Sequence, residues 1–172
     1  MARSMMQEIR YLLPVNRTLL ICAAMSSCLL LGAFLFEYVG RLAPCKMCIW
    51  QRWAHGAVVL VALSSLLISA DIKKKSALLL VFLAAVTSAA IAGFHVGVEW
   101  QLWNGPSGCS VPLGISSDMT LLVDQLLATP VVRCDEVPWS LFGISMAGWN
   151  SILSIDIAGF ALICWFANRQ TG

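Results

Sequence analysis

The sequence predicts an all-α membrane protein, a bundle of four transmembrane helices joined on one side by two loops. Three observations predict it. Hydrophobic residues make up 59% of the 172 and charged residues 12%, about half the charged share of a soluble domain. Mean hydropathy is +0.83. The apolar residues gather into long runs, each near the 20 or so needed to cross a hydrocarbon core of about 30 Å. Seven of the 11 cations gather at one end of those runs; Arg41, Lys46, Arg52 and Arg133 lie at the other, with most of the acidic residues, so the positive-inside rule gives the orientation. One integral-membrane domain accounts for the whole of 1–172.

The first span is expected over 18–36, after a basic start with Arg3, Arg10 and Arg17. A signal peptide has a shorter apolar core of about 7–15 residues and ends in small residues. This run is longer and ends in Phe34, Leu35 and Phe36, so an uncleaved helix is expected. A short loop, 37–48, leads to a second span over 49–72, with Arg52 and His55 near its start. Residues Asp71 to Ser76 read as a basic turn. The third span is expected over 77–98, the fourth over 146–167, with a long loop, 99–145, between them. Within that loop Ser116, Ser117 and Asp118 offer a helix N-cap. Met119, Leu122, Val123, Leu126 and Leu127 recur at helical spacing and Pro130 ends the pattern. This predicts a short amphipathic helix on the membrane surface.

The end of the bundle holding Arg3, Arg10, Arg17, Lys73 to Lys75 and Arg169 should be cytoplasmic, with both termini. Both loops then face outward. Trp50, Trp53, Trp100, Trp103, Trp139 and Trp149 fall near the outer ends of spans, where tryptophans anchor at the interface.

Seven cysteines are many for this length. Cys45, Cys48, Cys109 and Cys134 lie in or beside the outward loops, where disulfides persist. If Cys45 and Cys48 are both oxidised, proximity pairs them and leaves Cys109 with Cys134, closing a loop with an entropy term of about 3.5 kcal/mol. Two static staples are one reading, but a C-x-x-C bridge closes too short a loop to stabilise much. A zinc site is another, but one C-x-x-C and two distant single cysteines match paired-knuckle spacing poorly. No metal is expected. Cys22, Cys28 and Cys164 fall in apolar runs and read as small buried hydrophobes.

The dithiol Cys45–Cys48 opens a predicted helix, and Arg52 follows Cys48 by one helical turn. A cation and a helix N-terminus beside a thiol lower its pKa and make it redox-active. Arg52 also suits stabilisation of charge on an acceptor as it is reduced. His95, at a similar depth in the third span, is a second candidate for an acceptor contact or a proton. His55 shares a face with Arg52, and its role stays open. Asp156, mid-span, reads as a neutral packing residue. There is no C-x-x-C-H haem signature or flavin fingerprint.

The run Cys45-Lys46-Met47-Cys48-Ile49-Trp50-Gln51-Arg52 resembles the C-x-x-C-x-x-x-R signature of the DsbB family of bacterial disulfide-bond formation proteins. Residues 133–143, with Cys134, Asp135, Trp139 and Gly143, resemble that family's second loop, and Phe94 to Trp100 its third-span ending. The resemblance implies a quinone-dependent thiol oxidoreductase of the bacterial inner membrane, with its active cysteines facing the periplasm. It implies that Cys45, Cys48, Cys109 and Cys134 are catalytic, and that Arg52 and His95 bind a quinone, ubiquinone or menaquinone. The implied partners are a periplasmic DsbA-like oxidase of the thioredoxin fold and the membrane quinone pool; no nucleic acid is expected. Cys109 would take the partner thiolate, Cys134 would pass to Cys45, and Cys48 would be left as the thiolate facing the quinone. Two alternatives remain. A vitamin-K-epoxide-reductase-like enzyme has its C-x-x-C after the loop cysteines rather than before them. A transmembrane thiol transporter would use Cys22, Cys28 and Cys164.

Overall fold

The computed structural model describes residues 8, 11–67, 71–107, 109 and 132–169. The backbone forms four long helices: α1 (Val15–Tyr38), α2 (Lys46–Leu66), α3 (Asp71–Glu99) and α4 (Met146–Arg169). Between α3 and α4 lies a two-stranded antiparallel hairpin, β1 (Ser140–Leu141) with β2 (Ile144–Ser145). The expected surface helix near Met119 to Leu127 falls outside the described residues.

Among the described residues, three helices are long and apolar enough to cross a membrane: α1, the Lys74–Glu99 part of α3, and Met146–Asn168 of α4. The α2 helix has 21 residues, but its first turns carry Lys46, Gln51, Arg52 and His55. Helices adjacent in sequence pack side by side, and α4 closes the ring against α1. The short connections 39–45 and 67–70 make antiparallel neighbours the natural outcome.

The interior mixes small, polar and large apolar side chains. Cys22, Ala62, Ala85, Ala92, Ala161 and Cys164 are fully buried, as are Ser26, Ser88 and Ser154, and with them Leu19, Val58, Leu78, Val81 and Ile157. Other large apolar side chains point outward, among them Leu20, Leu31, Leu60, Leu83, Ile155 and Ile163. Small residues at helix contacts admit close backbone approach, and large ones on the outer faces suit the acyl chains.

Several expectations change. Lys73 to Lys75 lie inside α3 rather than in a turn, and the second span ends at Leu66 rather than at 72. Lysine is a good helix former, and aspartate suits a first helical turn, so the helix starts at Asp71. Cys28 is exposed, not buried. Asp156 is exposed beside Ile155 and fills no interior position.

Helix ends are shaped toward the loops. Gln101 takes a left-handed conformation (φ 58°) and lets Leu102 N–H reach Gly97 C=O at 2.9 Å, which stops α3. At Gly97 an added methyl would fall 1.9 Å from Trp103 Cζ2. That indole stacks on Phe94 with centroids 5.4 Å apart and donates to its carbonyl at 2.9 Å. Gly97→Ala should therefore expel Trp103, seen as a lower melting midpoint in detergent and stronger acrylamide quenching of tryptophan emission. Unchanged quenching would show that the indole does not depend on the glycine.

Candidate active site

Pro44 precedes Cys45, which takes extended backbone angles (φ −74°, ψ 169°) and caps α2. Its sulfur accepts from Cys48 N–H at 3.3 Å. The cap puts the Cys45 sulfur at the positive end of a helix dipole. Cys45 and Cys48 are thiols with their sulfurs 2.9 Å apart. Cys109 and Cys134 are disulfide-bonded.

One contact joins the two loops directly, and three more fix the second loop on itself and on the helices. Lys46 Nζ donates to Ser107 C=O at 2.9 Å and lies over the Trp50 ring. Cys134 N–H donates to Cys109 C=O at 3.0 Å. Trp139 meets Phe36 of α1 with centroids 4.8 Å apart. Trp149 of α4 donates to Leu141 C=O at 3.2 Å. The hairpin turns through Phe142 (φ 53°) and Gly143 (φ 78°), both in the positive-φ geometry of a tight two-residue turn. As a result the ligand atoms of Cys45, His95 and Cys134 all lie within 4.8 Å of one another, and all three residues are buried. The Cys134 sulfur is committed to Cys109, so what the grouping offers is sulfur-to-sulfur reach.

His95 joins these parts. Its Nε2 lies 3.7 Å from Cys45 Sγ and 3.2 Å from Cys134 C=O. Its Nδ1 faces Gln51 Nε2 at 3.2 Å. Glu99, one turn on, bonds Ser145 Oγ at 2.5 Å, and that oxygen accepts from Gly148 N–H at the start of α4.

The geometry favours Cys45 as the charged sulfur of the dithiol. It caps the helix, with the Cys48 thiol 2.9 Å away and His95 beside it, and these neighbours hold the Cys45 thiol below its ordinary range despite burial. The sequence pointed to Cys48 as the thiolate, beside Arg52. Arg52 is instead engaged by Glu37, by Ala33 C=O at 3.1 Å and by the Phe34 ring. Its charge faces an anion of another helix, and the sulfur that caps the helix takes the dithiol's charge.

A cavity of about 510 Å³ opens beside the dithiol. Cys45, Cys48, Arg52 and His95 all line it, and so do Gln51, His55 and Asn150. Leu29, Phe36, Val137 and Met146 supply apolar wall. The size and the few convergent polar groups are those of a small-molecule site. Gln51, Asn150 and Glu37 were not singled out from the sequence. Their signal was available, since polar residues within apolar runs mark functional interiors.

The family model for the disulfide bond formation protein DsbB matches residues 15–164. The chain belongs to the DsbB family. It is 33% identical over 165 residues to a disulfide bond formation protein B of Methylococcus capsulatus, covering 90% of this chain and 96% of that protein. It is 30% identical over 142 residues to the protein of the same name in Xylella fastidiosa, covering 80% and 82%. A namesake in Xanthomonas euvesicatoria is 30% identical over 134 residues, covering 76% and 78%. DsbB membership and the membrane-length helices make this a multi-pass membrane protein of disulfide bond formation, a disulfide-generating oxidoreductase.

The Cys45 shift has a sign that can be read. The reduced DsbB-family chain should keep Cys45 alkylation by iodoacetamide nearly flat from pH 8 down to about 5, read by peptide mass spectrometry. An ordinary thiol near 8.5 loses about tenfold per unit over that range. Because the folded value lies below the unfolded one, the thiolate stabilises the reduced fold fully above about pH 8.5 and progressively less as pH falls through the lowered Cys45 value. An ordinary titration at Cys45 would contradict the assignment.

Proposed function

We propose that this chain is a protein-disulfide:quinone oxidoreductase that reoxidises a periplasmic DsbA-like thiol oxidase of the thioredoxin fold. The observation that carries the reading is the convergence of Cys134 on Cys45 within 4.8 Å, at the mouth of a cavity that also reaches Cys48. α2 is taken as a fourth span despite its polar first turns, because it packs against both α1 and α3. The segment near Met119 to Leu127 is taken as an interfacial helix. The inner membrane houses the bundle, with both termini cytoplasmic and the four loop cysteines periplasmic.

The steps follow from thiol chemistry. A thiolate of the partner attacks Cys109 and forms a mixed disulfide, releasing Cys134 as the leaving thiolate. The partner's second thiol resolves that bond, so the partner leaves oxidised and Cys109 is reduced. Cys134 attacks Cys45 of an oxidised Cys45–Cys48 pair; the new Cys45–Cys134 bond expels Cys48 as a thiolate. Cys45 no longer carries the competing charge at that point, and the cation nearest Cys48 in sequence register is Arg52. The Cys109 thiolate then attacks Cys134, which restores the Cys109–Cys134 bond, releases Cys45 and leaves Cys45 and Cys48 as the dithiol to be reoxidised. The balance is two electrons and two protons taken from the partner dithiol. The cavity residues fit a quinone head: apolar walls, Arg52 with N–H donors beyond those it spends on Glu37 and Ala33, and His55 and Asn150 on the lining. When bound, a quinone supplies a two-electron, two-proton acceptor beside the C-x-x-C.

The transporter alternative gains no support. Cys22 and Cys164 belong to a core cluster separate from the one that holds Cys45, Cys109 and Cys134.

Cys48→Ser should abolish quinone-coupled oxidation of a reduced thioredoxin-fold partner, down to the rate without protein. A reduced partner whose second thiol is replaced by serine cannot resolve the mixed disulfide, so its adduct on Cys109 should accumulate, visible on non-reducing gels. Full turnover in Cys48→Ser, or no adduct with the partner variant, would sink the relay.

A further inference from the structure

The bundle core holds a run of polar side chains that disulfide exchange does not by itself require. It spans all four helices. Ser26 on α1 lies 3.3 Å from His55 Nδ1 on α2. His55 Nε2 lies 2.8 Å from Asn150 Oδ1 on α4. Asn150 Nδ2 donates to Gln51 Oε1 at 2.6 Å. Gln51 Nε2 then faces His95 Nδ1 on α3 at 3.2 Å. His55 and His95 are 3% and 4% exposed, so water does not compete for these bonds.

The direction of each bond is set by its neighbours. Asn150 spends its two N–H hydrogens on Gln51 and, at 3.5 Å, on Ser88 Oγ, and turns its carbonyl oxygen to His55, so His55 Nε2 carries a hydrogen. Its Nδ1 then accepts from the Ser26 hydroxyl. Gln51 takes Asn150's hydrogen on its oxygen, so its nitrogen is the group that faces His95. An amide N–H is a donor only, so His95 Nδ1 must accept. The hydrogen of neutral His95 is thereby placed on Nε2, toward Cys45 Sγ and the Cys134 carbonyl. Every donor in the chain points the same way, from α1 to the reactive sulfur. In the other tautomer His95 would aim a lone pair at a thiolate and a carbonyl oxygen together, two repulsions in a dry site.

We propose that His55, Asn150 and Gln51 are positioning residues that hold His95 in the Nε2–H tautomer, so that an N–H donor stays on the Cys45 sulfur. The inference rests on Cys45 being an exchanging thiol, and it assigns His55 a role that the relay alone leaves blank. It is independent of what occupies the cavity. The titratable groups around Cys45 are Cys48 on its own helix, His95 and Glu99 on α3, with Arg52 acting on Cys48. None of them sets a tautomer; the two amides do.

The test uses the reduced, full-length protein in detergent and needs neither partner nor quinone. The chain has two histidines, so ¹⁵N-histidine labelling gives two rings, and the His55→Gln variant identifies the His95 signals. In the wild-type spectrum at pH 7.5, His95 should show an unprotonated, pyridine-type Nδ1 and a pyrrole-type Nε2. A protonated Nδ1, in a neutral or a cationic ring, overturns the proposal. Asn150→Leu then removes the relay amide without adding charge or much volume. It should raise the midpoint of the Cys45 alkylation profile by about one pH unit or more, the loss of one hydrogen bond to a charged sulfur. A role confined to filling space would leave that midpoint in place. An unmoved midpoint in a variant that folds with the wild-type helix content would overturn the positioning role; the oxidase reading is decided separately, by Cys48→Ser. Should Asn150→Leu fail to fold, the wild-type spectrum alone decides.

Discussion

The imidazole of His95 is the joint on which the site depends. It reaches from α3 to the sulfur that starts α2 and to the backbone of the second loop at Cys134. Neither of those segments is otherwise held to the other by regular secondary structure. Lys46, the hairpin and the aromatic contacts bring the loops to the right end of the bundle, but they act at the margins of the cysteine cluster. The histidine acts at its centre, and it does so from the last turns of a helix whose stop is set by Gln101 only a few residues on. A ring with donor and acceptor both engaged is cheap to keep in an apolar surround. A free imidazole at that depth would not be.

The same constraint explains the arrangement around Arg52. A guanidinium near the end of a membrane helix is costly unless matched. Glu37 at the end of α1 matches it, with Ala33 C=O taking a second hydrogen. The pair ties α1 to α2 at the cavity wall. It also leaves the dithiol's charge to be decided by local geometry, namely the helix cap and the thiol–thiol contact, rather than by the nearest cation in sequence.

Much of this was legible in the sequence and some was not, for identifiable reasons. Apolar runs mark the helices because lipid demands them. The spacing of Cys45, Cys48 and Arg52 marks a reactive dithiol because helical neighbours recur every three to four residues. The start of α3 was misplaced because lysines read as a turn, although they are equally good helix formers. The charge on Cys45 was missed because the partner of Arg52 lies 15 residues earlier, on a different helix. The hairpin was invisible because Phe142, not Asn or Asp, occupies its first positive-φ position. His55, Gln51 and Asn150 each looked like an isolated polar residue, and only the packing of α2 against α3 and α4 assembles them.

The small residues of the interior have a bearing on how this protein can vary. In a core of large side chains the damaging substitution is the one that empties space. Here Leu19, Leu78 and Ile157 are still open to that damage, but alanine, serine and cysteine fill much of the space between the helices, and many large side chains face outward, where exchange among Leu, Ile, Phe and Val changes few contacts. A second kind of damaging substitution is the one that adds atoms at Ala62, Ala85, Ala92 or Ala161, each with no exposed surface. Sequence drift in such a chain is therefore free on the lipid side and constrained by bulk within. The bundle can keep its helix spacing, and with it the meeting of its loops, while most of its apolar letters change.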